Sequence, residues 1–251
     1  MVLRQNILIS GASSGLGEGM AREFAARGRN LALCARRIER LDELAAELRS
    51  AYPGITVATR ALDVTDHAQV FAVFGEFRTE LGSLDRVVVN AGLGKGQPVG
   101  SGRFDANRQT LETNLLGAVA QIEAAAGIFR EQRTGHLAVI SSFMALRGFP
   151  RNLTAYSASK AGISAFAEDA RLELSRHGIT VTDVRPGYIR SEMTDRSSAR
   201  NPLMVSAETG VRALVKAIEA EPKRAYVPAW PWVPLSVAVR LAPARLLRRF
   251  A

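Results

Sequence analysis

The sequence predicts an α/β protein: a single domain with a doubly wound parallel sheet of about seven strands and helices on both faces. Three observations predict it. Short Val/Ile/Leu runs lack polar alternation, as strands buried on both faces do. Helical periodicity alternates with these runs in a βαβα rhythm. Directly behind the first run, Ile7-Leu8-Ile9, comes the glycine turn Gly11-Ala12-Ser13-Ser14-Gly15-Leu16-Gly17.

Each element follows in order. Val2 to Ser10 reads as the first strand, and Gly15 to about Arg27 as the first helix. Asn30 to Ala35 is the second strand. Ile38 to Arg49 is a helix because Leu41, Leu44, Ala45 and Leu48 recur at helical spacing. Ile55 to Ala61 is the third strand. Thr65-Asp66 then offers an N-cap to a helix reaching about Glu80. Leu84 to Val89 is the fourth strand, and a long helix covers about Asp105 to Gln132. His136 to Ser141 is the fifth strand. Thr154 to His177 is a helix stopped by Gly178, and Ile179 to Val184 is the sixth strand. Ser206 to Ala220 is a helix, and Ala225 to Val227 a short last strand. Residues 1–251 read as one domain, with 228–251 as an extension rich in Pro, Trp and Arg.

Composition narrows the function. Apolar residues make up 47% of the 251 and charged residues 23%, ordinary for a globular protein. The single cysteine, Cys34, excludes an internal disulfide and fits a reducing compartment. It reads as a small buried strand residue, with a reactive thiol as the alternative. No secretory signal and no transmembrane span is visible, so a cytoplasmic location is expected. The net charge is +9, but Lys223, Arg224, Arg240, Arg245, Arg248 and Arg249 follow the last acidic residue, Glu221. Without those six, 27 basic residues face 24 acidic ones. A nearly neutral body does not suit nucleic acid as a partner.

Two motifs carry chemistry. The glycine turn brings backbone N–H groups toward a pyrophosphate at the positive end of a helix. Tyr156-Ser157-Ala158-Ser159-Lys160 puts a phenol and an ammonium four residues apart, on one helix face. The first binds a dinucleotide; the second moves a proton. At the end of the second strand, Cys34-Ala35-Arg36-Arg37 lacks the carboxylate that holds a ribose 2′-hydroxyl. Arg36 can fork onto a 2′-phosphate and Arg37 can flank it, so NADP(H) is the expected cofactor.

Through these motifs the chain resembles the short-chain dehydrogenase/reductase family, up to about residue 227. The glycine loop is followed in family order by Asp63-Val64, Asn90-Ala91-Gly92, Asn114, Ser141-Ser142, Tyr156, Lys160 and Pro186-Gly187. The resemblance implies a Rossmann-like fold. It implies cofactor contacts from Gly11, Ser13, Ser14, Gly15, Leu16, Gly17, Arg36, Arg37, Asp63, Val64, Asn90, Ala91 and Gly92. Tyr156, Lys160, Pro186, Gly187, Ile189 and Ser191 complete that set. It also implies catalytic roles for Asn114, Ser142, Tyr156 and Lys160. Tyr156 would be the acid/base, its pKa lowered by the ammonium and by the cofactor's positive ring. Lys160 would hold the nicotinamide ribose, Ser142 the substrate oxygen, and Asn114 a water linking Lys160 to solvent. Ser142 lies one residue further from Tyr156 than is common in the family, so Ser141 is the alternative.

The expected substrate is an apolar ketone, aldehyde or alcohol, met by Leu93, Phe143, Met144 and Tyr188. Arg147 could meet an acidic group or face water. Residues Ser191 to Pro202 read as a lid or a surface loop. The tail, with Trp230, Trp232, Val237, Val239, Leu241, Leu246, Leu247 and Phe250 among arginines, has three readings: docking at a membrane surface, a subunit contact or lid, and a packed extension. Pairing through the two long helices, as a homodimer or homotetramer, is expected from the resemblance. No metal is expected. The alternative to an enzyme is a sensor or scaffold that binds NADP(H) without turnover.

Overall fold

The computed structural model describes residues 3–195, 202–243 and 245. Seven parallel strands form one sheet in the order β3-β2-β1-β4-β5-β6-β7. They are β1 (Asn6–Ser10), β2 (Asn30–Ala35), β3 (Val57–Ala61), β4 (Arg86–Val89), β5 (Gly135–Ile140), β6 (Ile179–Pro186) and β7 (Arg224–Val227). The helices are α1 (Gly15–Ala25), α2 (Ile38–Ala51), α3 (His67–Leu81), α4 (Phe104–Leu111), α5 (Gly117–Gln132), α6 (Thr154–Leu174), α7 (Glu192–Asp195), α8 (Ala207–Glu219) and α9 (Ala229–Leu241).

Strand alternation sorts the core into two layers. On one face Leu8, Val87 and Leu137 meet Phe74 and Phe77 of α3, Ala125 and Phe129 of α5, and Ile163 of α6. On the other, Ile7, Ile9 and Val88 meet Met20 and Phe24 of α1, Leu41 of α2 and Leu214 of α8. The chain reverses direction across the sheet between β1 and β4. A crevice therefore opens at the carboxyl ends of those two strands, where such folds bind ligands.

Two expectations need correction. The expected first strand was drawn from Val2, but of its described residues Leu3, Arg4 and Gln5 stand outside β1: the backbone N–H groups of Gln5 and Asn6 donate to Asp85 Oδ2 (2.8 and 2.9 Å) just where β2 pairing begins. The long helix drawn from Asp105 to Gln132 is two helices joined by a π turn, Glu112–Leu116. The wider turn carries Asn114 inward, and Gly117 passes so close to Val64 that a Cβ would overlap its carbonyl. The tail also contains a helix, α9, despite its prolines. Trp230 is extended (φ −96°, ψ 133°), so Pro231 and Pro234 fall at the start of the helical run, where a missing N–H costs least. The helix ends at Leu241, with Ala242 extended before Pro243.

α9 is held from both sides. Trp232 is 2% exposed, its ring 4.6 Å from Phe143 and 5.6 Å from Tyr188, lying against Gly187. Arg147, partly buried, is spent on backbone rather than on an acidic group. It donates to the carbonyls of Val239, Arg240 and Ala242, at the negative end of α9. Leu246, Leu247, Arg248, Arg249 and Phe250 lie outside the described residues. Among the described residues, no helix is long and apolar enough to cross a membrane.

Candidate active site

A cleft of about 470 Å³ lies at the carboxyl ends of the strands. The glycine loop forms one wall. Gly11 (φ +65°) and Gly15 (φ +59°) sit in the left-handed region, and a Cβ on Gly17 would collide with the Gly11 carbonyl and the Asn90 amide. Gly11, Ser13, Ser14, Gly15 and Leu16 line the cleft; Gly17 stands behind them as the packing glycine.

Asn90 and Ser10 rivet this loop to β4. The Asn90 Nδ2 group donates to the carbonyls of Ser10 (2.9 Å) and Gly11 (3.4 Å), while Ser10 Oγ accepts from the N–H groups of Asn90 (3.0 Å) and Ala91 (3.1 Å). The Asn90 amide thus shapes the cleft through the chain. Ser10, fully buried, is a functional position that the sequence alone hid. Asp63 Oδ1 closes its own turn onto Thr65, leaving Asp63 and Val64 along the cleft. Ala91 and Gly92 complete that edge.

The two arginines after β2 stand differently. Arg36 is exposed at the cleft and makes no ion pair among the described residues. Arg37 bonds Ser13 Oγ (3.3 Å) and Ser14 Oγ (2.6 Å) and forks onto Glu192 of α7 (3.3 and 3.2 Å). Arg37, not Arg36, is therefore the guanidinium built into the glycine loop.

On the opposite wall, the sequence register puts Tyr156 and Lys160 on one face of α6. Ser142 Oγ accepts from Met144 N (3.1 Å) and is the hydroxyl that acts on Tyr156, where it holds the phenol's pKa down. Ser141 is turned the other way and donates to Asp183 Oδ1 and to the Val184 carbonyl (3.1 Å). Consecutive residues at a strand end point to opposite faces, so only one serine can reach the phenol, and it is Ser142. Lys160 Nζ donates to the Ile140 carbonyl (2.7 Å) and lies 5.9 Å from the Tyr156 ring centroid.

Burial brings the Lys160 ammonium down to about 8, against the nearby Asp183 carboxylate. Among the protein's own groups, burial pushes the Tyr156 phenol up, and Ser142 opposes this only in part.

Asn114, 1% exposed, uses its amide on backbone: Oδ1 accepts from Leu93 N (2.6 Å) and Nδ2 donates to Leu93 O (2.8 Å). Its side chain pins the loop after β4. Pro186, Gly187, Ile189 and Ser191 line the cleft, with Glu192, Met193 and Thr194 of α7 beside them. Thr194, which bonds Ser191 at both backbone and side chain, belongs to the site although no motif marks it. The proposed lid continues through residues 196–201, which lie outside the described residues.

Among the expected substrate contacts, Leu93 lines the cleft. Met144 and Phe149 form an apolar cluster with Leu153, Tyr156, Tyr188, Val239 and Ala242. Phe143 packs behind it, against Trp232 and Tyr226. Cys34 is buried, and its thiol is pushed up to about 12, which leaves it inert as a nucleophile. Among the described residues, no cluster of His, Cys, Asp and Glu could hold a metal ion.

Residues 5–202 match the family model for short chain dehydrogenases. An uncharacterized oxidoreductase of Mycobacterium tuberculosis is 55% identical over 250 residues, covering 100% of this chain and 98% of that protein. An Arabidopsis thaliana protein named 11-beta-hydroxysteroid dehydrogenase 1A is 38% identical over 189 residues, covering 75% of this chain and 53% of that one. The solved short-chain dehydrogenase of Sphingobium yanoikuyae, in complex with NADPH, superimposes with a TM-score of 0.81 at 28% identity, covering 96% and 99% of the two chains. The chain belongs to the short-chain dehydrogenase/reductase family. It is an oxidoreductase of that family, whose members use NAD(P)(H).

Proposed function

We propose that the protein interconverts an apolar ketone or aldehyde and the corresponding alcohol with NADP(H), using Tyr156 as the acid/base. The observation that carries this reading is Ser142 and Tyr156 together at the cleft, with Lys160 one turn along the same helix. When bound, the nicotinamide supplies or accepts the hydride. In the reductive direction a carbonyl oxygen gains negative charge. Ser142 Oγ and the phenolic O–H stand together as its donors. Tyr156 then gives its proton to the developing alkoxide, a stronger base than the phenolate left behind. Lys160, with a pKa near neutrality, sits where it can restore that charge balance.

The residues fit a phosphorylated dinucleotide. Glycines line the loop where a Cβ would intrude, and Arg36 and Arg37 stand at the end of β2 without a carboxylate at Cys34 or Ala35. The NADPH-bound relative supports the same choice. The cluster of Met144, Phe149, Leu153, Tyr188 and Val239 beside Tyr156 supports an apolar substrate, as does the steroid dehydrogenase relative's name. The test is NADPH oxidation against ketones and aldehydes graded in chain length, with Tyr156→Phe alongside. Turnover rising with apolar length and falling at least about 100-fold in the variant supports the reading. Unchanged turnover in Tyr156→Phe refutes the proton role.

A second reading concerns location. The outward arc of α9 carries Trp230 (78% exposed), Val233 (47%), Val237 (58%) and Leu241 (79%), with Arg240 beside them and Arg245 beyond. A solvent-facing apolar helix beside arginines, in a stretch of sequence with no Asp or Glu after Glu221, complements an anionic lipid surface. We assign this face to peripheral docking on anionic bilayers, next to an apolar substrate site. The protein should co-sediment with phosphatidylglycerol vesicles, less so at high salt, and Val237→Asp/Leu241→Asp should release it. No sedimentation, or dimerisation through this face instead, refutes the assignment.

A further inference from the structure

Arg37 has one fork, and the chain itself supplies an anion for it. Glu192 Oε1 and Oε2 lie 3.3 and 3.2 Å from Arg37 Nη1 and Nη2, the bidentate geometry of a guanidinium on a carboxylate. Arg40 Nη1 stands 3.9 Å from the same carboxylate. The remaining Arg37 hydrogen bonds go to Ser13 and Ser14 of the glycine loop. Glu192 opens α7, the segment that runs from β6 along the rim of the cleft, and Ser191 and Thr194 brace that segment internally. Glu192 thus ties the rim of the substrate side to the nucleotide side through ion pairs with Arg37 and Arg40 and a hydrogen bond with Ser14 of the glycine loop, the Arg37 fork being the bidentate one.

We propose that Glu192 is a specificity latch: its carboxylate and a cofactor 2′-phosphate compete for the Arg37 fork, so that a phosphorylated nucleotide releases α7 from the glycine loop and an unphosphorylated one leaves it tied. The inference rests on the reading of the cleft as a nicotinamide dinucleotide site. Its logic is linkage. A ligand shifts a two-state element only through a difference in affinity for the two states, and here that difference is the 2′-phosphate. Arg37, already held by two serines, is preorganised to accept either anion. The arrangement makes Glu192 a negative element in cofactor choice: it weakens NADP(H) and leaves NAD(H) nearly untouched.

The test uses binding, not turnover. Calorimetric titration with 2′,5′-ADP and with 5′-ADP compares the protein with Glu192→Gln and Glu192→Asp. Removing the carboxylate should tighten 2′,5′-ADP by roughly fivefold, the upper range for a well-formed exposed ion pair, and change 5′-ADP by less than about twofold. Glu192→Asp keeps the charge and shortens the reach. A latch predicts that it behaves like Gln; simple charge repulsion predicts that it behaves like the parent. Hydrogen exchange supplies the second readout, with the Ser191–Thr194 amides exchanging faster when 2′,5′-ADP binds and unchanged with 5′-ADP. Equal effects on both nucleotides, a parent-like Glu192→Asp, or unaltered exchange overturns the latch. If neither nucleotide binds the parent protein, it is the cofactor reading that fails.

Discussion

Trp230 and Trp232 stand two residues apart in α9, one 78% exposed and the other 2% exposed. They make a matched pair for measuring what the tail contributes. Trp232 fills the space between Phe143, Tyr188 and the backbone of Gly187, and nothing can refill it, because Gly187 has no side chain to move. Truncating such a residue costs about 3–5 kcal/mol, by lost burial and by the cavity left behind. For a chain of this size about 1 kcal/mol moves the melting temperature by about 2–4 °C. Trp232→Ala should therefore lower it by roughly 6–20 °C, whereas Trp230→Ala should stay within about 2 °C. The indole Nε1–H is buried with no acceptor among the described residues. Such a group costs about 1–3 kcal/mol, so Trp232→Phe, which keeps a ring and removes the N–H, should lose well under half of what the alanine variant loses. Differential scanning fluorimetry reads all three. Loosening α9 also moves Val239 and Ala242 away from Tyr156, so the apolar substrates of the graded panel should show a raised KM before kcat falls. Equal shifts for the two alanine variants would show that α9 is not anchored by Trp232 and would remove the tail from the site.

Three further outcomes follow from the same structure. Gly187→Ala should reproduce much of the Trp232→Ala loss in a thermal melt, because the new Cβ occupies the indole's place. Arg147→Ala removes the cationic cap from the carbonyls of Val239, Arg240 and Ala242 at the end of α9 and should cost about 1–2 kcal/mol by chemical denaturation, with a raised KM for apolar substrates. His136, buried between Arg86 (which donates to Nδ1 at 2.8 Å) and Thr182, is driven down to about 3, by burial first and by Arg86 second. The unfolded chain binds that proton from about pH 6.5 downward and the folded chain does not. Its contribution is therefore complete above pH 6.5 and is lost as pH falls toward 3, at up to about 1.4 kcal/mol per unit. His136→Asn should flatten that part of the stability profile in urea melts at graded pH; an unaltered slope refutes the assignment.

What was legible in the sequence is what short-range rules decide. Unalternated Val/Ile/Leu runs marked six of the seven strands near their final ends, and the parallel sheet followed from their rhythm. Tyr156 and Lys160 share a face because four residues nearly complete a helical turn, whatever surrounds the helix. The glycine loop was visible because Gly11 and Gly15 adopt a backbone that other residues resist. Tertiary structure decided the rest. Which serine meets Tyr156 depended on the strand-end parity of β5 against α6, which a single offset residue leaves open along the chain. The roles of Arg36 and Arg37 depended on where Glu192 arrives, some 155 residues later. The Tyr156 pKa depended on the depth of burial around it, which no spacing reveals. Trp232 looked like its exposed neighbour Trp230 until Gly187, just past β6, supplied bare backbone for its ring. Periodicity is a property of neighbours along a chain; burial, charge pairing and pKa belong to neighbours in space, and the fold alone brings those together.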